Sequence, residues 1–150
     1  MAQIFPQADD LDKIIIIIKT EKNSFDPEKL KSILKLGTTR QIAYYLSACQ
    51  FLDILDGNKE FTVFGERLKI VSDNTLLNLL AKKIISKDVF GECFFKSLKE
   101  KKLIKRDDVA QLILSLTEIN NYSVAYRRAQ TVISWLSKIF NYYDLEFEVK

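Results

Sequence analysis

Arg127, Thr131, Ser134 and Lys138 recur at spacings of four, three and four within "YSVAYRRAQTVISWLSK", residues 122–138. On a helix turning 100° per residue they fall on one side, with Gln130 and Ser137 beside them. Ala125, Ala129, Val132, Leu136 and Ile139 gather opposite as a core face. Arg128 and Trp135, seven apart, sit at the margin, close enough to stack. These outward types are the ones that read DNA. Arg and Lys neutralise phosphate, Arg pairs in bidentate fashion with guanine, Gln does so with adenine, and Ser or Thr serve either. Ser123 and Tyr126, in the first turns of the same helix, join the candidate set. A solvated face normally mixes signs, and this one carries no acid; ordinary solvent exposure is the alternative reading.

A second segment, "TTRQIAYYLSACQFLDIL", residues 38–55, repeats the theme. Ile42, Tyr45, Cys49 and Leu52 share a core face, while Thr39, Arg40, Ala43, Ser47 and Gln50 face out, flanked by Tyr44. Ala43 and Ser47 are small enough to let such a helix sit close in a major groove. Thr38 and Gln41 have capping-box spacing and mark its start. Lys59, in the following turn, is placed to reach a neighbouring phosphate.

Other chemistries are narrowed by composition. The 150 residues contain no histidine, which removes His-ligated metals and the Ser-His-Asp and Cys-His nucleophile systems. Cys49 and Cys93 match no metal-ligand spacing and suit buried thiols in a reducing compartment, so a cytoplasmic protein without metal or cofactor is expected. "EFEVK", residues 146–150, has the acid-x-Lys spacing of Mg²⁺-dependent nucleases, but nothing around it supplies their sheet. The net charge of +3 is unevenly spread: residues 82–106 hold nine Lys/Arg against three acids, a local +6 that suits a polyanion. "MAQIFPQADD" lacks the basic and apolar parts of a signal peptide, and "IIIII", residues 14–18, is too short to span a bilayer.

The elements that must position these residues are mostly helical, since Gly (4) and Pro (2) are scarce. Helices are expected over 9–21, over the Asp26-Pro27 start to the Gly37 stop, and from Thr38 onward. Asp56-Gly57 and the alternation of Phe61 and Val63 then predict a hairpin. After a linking helix the second half repeats helix, helix, helix, strand, ending on Leu145, Phe147 and Val149. An offset of 84 residues places Phe51 on Trp135 and Ala48 on Val132. The expected fold is mainly α with short β wings, a tandem winged helix-turn-helix: residues 1–70 as the first unit, residues 71–150 as linking helix and second unit.

At "TTRQIAYYLSACQFLDIL…FTVFGERL" and "YRRAQTVISWLSKI" the chain resembles the winged-helix DNA-recognition domains of restriction endonucleases and related restriction-modification proteins. The family pattern of paired Arg, Thr-Val and Trp-Leu-x-x-Ile is matched by Arg127, Arg128, Thr131, Val132, Trp135, Leu136 and Ile139. The first unit shares a Tyr pair and a Thr-x-x-Gly wing, with Asp53 where the family tends to have Gly. The resemblance spans about residues 10–142. It implies sequence-specific binding of double-stranded DNA, as the target-recognition domain of a type II restriction endonuclease. Cleavage would then lie with a nuclease domain or subunit elsewhere, no membrane being involved. A protein–protein interaction module or a transcriptional regulator is the alternative; Phe90, Phe94, Phe95, Tyr142 and Tyr143 would then be exposed.

Overall fold

The computed structural model describes residues 5–20 and 26–143. They form eight helices: α1 (Leu11–Ile18), α2 (Pro27–Ile33), α3 (Thr39–Phe51), α4 (Val63–Ile70), α5 (Asp73–Ile85), α6 (Asp88–Glu100), α7 (Arg106–Leu116) and α8 (Tyr122–Tyr142). The chain divides into two compact units, Met1–Leu76 and Leu77–Lys150, the boundary falling inside α5.

In the first unit the isoleucine run is helical. Asp10 caps α1 by accepting from Asp12 N–H at 3.0 Å, and Ile14, Ile17 and Ile18 are fully buried. Those three repeat at the three- and four-residue steps of one helix face, so burial outweighs the weaker helix propensity of β-branched side chains. Asp26 accepts from Glu28 and Lys29 N–H with Pro27 at the first helical position, the start the sequence predicts for α2. Thr38 accepts from Gln41 N–H to open α3, while Gln41 reaches back to Gly37 N–H at 3.0 Å. The Asp10 N–H donates to the Tyr45 hydroxyl at 3.0 Å, which ties the start of α1 to the middle of α3.

The winged-helix expectation is overturned: among the described residues there are no strands and no sheet, and the expected first wing is reduced to an isolated antiparallel bridge between Leu55 and Phe61. The expected wing turns into α4. Asp56 holds the intervening turn by accepting from Asn58 N–H (2.8 Å) and Glu60 N–H (3.0 Å). Thr62 then accepts from Gly65 N–H at 3.0 Å and donates to the Asp53 carbonyl, capping a helix where a strand was expected. Gly65 is required there, because a Cβ would stand 2.3 Å from the Ile54 carbonyl oxygen. A two-position alternation is weak evidence against a Thr cap with Glu66 in the first helical turn. Asp53 adopts φ 60°, the left-handed conformation that a Gly would supply in the resembling family. The expected second wing, residues 145–149, lies outside the described residues.

The second unit is built around α8, with α6 and α7 both packed on it. Trp135 is wholly buried and stacks on Phe90, with ring centroids 5.1 Å apart; Phe94 stacks on Phe140 at 5.2 Å. Of the aromatic residues expected at a protein-binding surface, Phe90 and Phe94 are therefore core, while Phe95 and Tyr143 are exposed. In the α6–α7 connection the buried Ser97 hydroxyl accepts from Ile104 N–H at 3.1 Å, and Lys101 takes φ 55° to end α6.

Candidate nucleic-acid interface

Helices α2 and α3 are joined by residues 34–38, and α7 and α8 by residues 117–121. Each pair is thus helix, five-residue connection, helix, with the second helix opened by a side-chain cap from Thr38 or Asn121. α2 packs on α3 and α7 on α8.

In the second unit the exposed start of α8 is joined to the start of α7 by a layered cluster. Arg106 Nε donates to the Tyr126 carbonyl at 2.8 Å, and its guanidinium lies 4.1 Å from the Tyr126 ring centroid. Tyr126 stacks with Tyr122, centroids 5.8 Å apart. The Tyr122 hydroxyl donates to the Asp107 carboxylate, and this bond pushes the Tyr122 pKa up, with a small contribution from burial. Ser123 and Arg127 are exposed beside this cluster, as are Lys101 and Lys105 in the approach to α7. The cluster thus sets one guanidinium and two stacked phenols beside the exposed carboxylates of Asp107 and Asp108.

Further along α8 the expected stripe is only partly open to solvent. Thr131 is completely buried, and Arg128, Gln130, Ser134 and Lys138 are half-buried. Gln130 Nε2 donates to Ser134 Oγ at 3.0 Å, so these two side chains meet along their own helix. Trp135 lies in the core against Phe90, not at the margin where the helical projection puts it. Both α6 and α7 pack on α8, and Thr131, Val132, Trp135 and Leu136 lie buried on it. Tyr122, Arg106 and Asp107 were missed by the sequence reading. The Tyr122/Tyr126 spacing of four is the signal that reveals the aromatic pair.

In the first unit Arg40 Nε donates to the Tyr44 hydroxyl at 2.9 Å and its guanidinium lies 5.7 Å from that ring centroid. Thr39, Arg40, Gln41 and Ala43 are exposed; Tyr44, Ser47 and Gln50 are half-buried. Gln50 Nε2 donates to the Asp56 carbonyl at 2.9 Å, which fixes it against the following turn. Lys59 is exposed at that turn with φ 61°.

One electrostatic feature separates α3 and α8 from the rest. Every other helix carries an acid in its first turn: Asp12, Glu28, Glu66, Asp73, Asp88, and Asp107 with Asp108. Such acids complement the positive end of the helix dipole. α3 and α8 have none there, and neither has an Asp or Glu anywhere along its length.

Residues 13–144 match one family model, described as a domain of unknown function, DUF7226. The chain belongs to that family. The match takes in both helix pairs and all of α2 to α8. Neither the curated proteins nor the solved structures compared with the chain include a match. Among the described residues no group of three or more Asp, Glu or Cys side chains could hold a metal ion, and the acid-x-Lys run at 146–150 lies outside them. No described helix is long and apolar enough to cross a membrane.

Proposed function

We propose that the chain binds double-stranded DNA, with the exposed start of α8 as the contacting surface. The observation that carries this reading is the acid-free α8 set among acid-started helices. Asn121 already accepts from Val124 N–H, and Asp107 stands beside Tyr122, so what α8 offers a phosphate is the remainder of a positive dipole end with no carboxylate of its own. Arg106 and Arg127 add charge, and Tyr122, Ser123 and Tyr126 add hydrogen-bonding and stacking groups. The basic 82–106 block draws a polyanion to the same unit, with Lys96, Lys99, Lys101 and Lys105 exposed.

A role in restriction, with cleavage by a nuclease domain or subunit elsewhere, rests on the resemblance alone. Five of its matched residues, Thr131, Val132, Trp135, Leu136 and Ile139, are buried, so they describe how α8 packs and not what it reads. A protein partner is the second reading, favoured by Val63 (89% exposed) and Ile70 (84%) on α4.

Fluorescence anisotropy of a labelled random-sequence duplex pool, titrated with salt, tests the reading. Binding is expected to weaken with salt at a log–log slope of about −0.9 per phosphate contacted. Arg127→Ala should cost roughly 1–3 kcal/mol and relax the recovered sequence at one position if it reads a base, or weaken all sequences alike if it holds phosphate. No binding by the intact chain at low salt would sink the DNA reading.

A further inference from the structure

We infer that the outer face of α4 is an interface between two copies of this chain, paired antiparallel about a two-fold axis; this rests on the protein-partner reading given above and not on DNA binding. α4 turns Gly65 and Leu68 inward, both buried, and the Thr62 cap fixes its start. Val63, Glu66, Arg67 and Ile70 lie on the opposite side, at the three- and four-residue steps of one helix face, and all four are exposed. Val63 at 89% and Ile70 at 84% are the two most exposed large apolar side chains among the described residues; Phe95, at 62%, comes next. At such exposure they add almost nothing to the core of their own chain. Single exposed apolar residues are ordinary, but these two share one face of one eight-residue helix.

The charges on the face identify its occupant. Glu66 and Arg67 stand between Val63 and Ile70, so the stripe reads apolar, acid, base, apolar, with spacings symmetric about its midpoint. Among the described residues neither charged side chain has a hydrogen bond or ion pair. In an antiparallel pair about a two-fold axis, Val63 meets Ile70 of the second copy and Glu66 meets Arg67 of the second copy. The remaining two contacts are the same pairs reversed. A parallel pair would set acid on acid and base on base, and like charges so placed repel. The stripe therefore complements itself in one direction only. Its flank is held clear of it: Lys69 donates to the Thr20 carbonyl at 3.2 Å, and its ammonium lies 3.7 Å from the Phe61 ring centroid. At 1.5 Å per residue α4 is about 12 Å long, so this contact is smaller than the roughly 800 Å² per partner of a stable complex. The dimer is accordingly weak and forms as concentration rises.

Sedimentation velocity of the full chain without DNA, from roughly 1 µM to 1 mM, tests the pairing. The native chain should pass from monomer to dimer within that range. R67E sets two anions side by side and E66R two cations, so each variant alone should dimerise about tenfold more weakly or worse. Mixed in equal amounts, the two restore acid against base in the antiparallel pair and should form a heterodimer near native affinity, followed by a label on one of them. I70Q, a change at an exposed position, should also weaken the dimer about tenfold. Circular dichroism checks each fold. Should E66R melt early through loss of the first-turn acid, R67E and I70Q carry the test, since both keep that acid. A native chain that stays monomeric throughout would overturn the second copy as occupant and leave the face to a different protein. Dimers that R67E and I70Q hold within twofold of native would put the interface elsewhere and overturn α4. A mixture no tighter than its folded components alone would overturn the antiparallel pairing.

Discussion

Trp135 shows how far a single side chain departs from its helical projection. Completely buried and stacked on Phe90, it should cost about 3–5 kcal/mol when replaced by Ala, read as a fall in melting temperature of roughly 10 °C or more. A W135A chain that melts like the native one would contradict this packing. Lys101 carries the opposite expectation: its left-handed φ of 55° suits Gly, so Lys101→Gly should stabilise by roughly 1 kcal/mol. Loss of stability in K101G would mean that the lysine side chain contributes more than its backbone costs. Burial pushes the Cys49 and Cys93 thiols up to about 12. Both should resist alkylation at pH 8 in the native chain and react once denatured; rapid labelling of the native protein would show that the thiols are accessible. Because these pKa values are raised in the folded state, folding keeps protons that the unfolded chain releases. Stability should therefore be unaffected below the ordinary thiol range and fall as pH rises toward 12. At this scale the sequence was legible where residues are wholly apolar: Ala125, Ala129, Val132, Leu136 and Ile139 are buried as their spacing predicts. Thr131 was not, since Thr suits either side of a helix and only the neighbouring helices decide.

At the scale of elements, starts were more legible than types. Asp26-Pro27 and Thr38 open α2 and α3 as the cap rules require, because a cap is a contact within a few residues. The wing failed for the reason that makes caps readable. The alternation around Thr62 predicts mid-strand, but its hydroxyl is satisfied by the Gly65 N–H and the Asp53 carbonyl, and the chain turns into α4. Thr62→Ala should therefore cost about 1–2 kcal/mol, while Thr62→Ser should keep most of that stability. Equal melting of T62A and T62S would show that the hydroxyl does not hold this corner. The four-residue spacing of Tyr122 and Tyr126 was legible as a pair in principle. Arg106, 20 residues before Tyr126, joins them only through the packing of α7 on α8.

At the scale of the whole molecule the net charge of +3 conceals the +6 of residues 82–106. Changing Lys96, Lys99 and Lys105 to Glu should weaken duplex binding and flatten its salt dependence without lowering the melting temperature much, since all three are exposed. An unchanged salt slope would confine the contact to the helix starts. Near its start α8 exposes Tyr122, Ser123, Val124, Tyr126 and Arg127. They span about 9 Å at 1.5 Å per residue, against 3.4 Å per base step, so a DNA contact confined to them would cover roughly three base pairs. So short a word recurs throughout any genome, and one helix end alone could not choose an address among the competing sites.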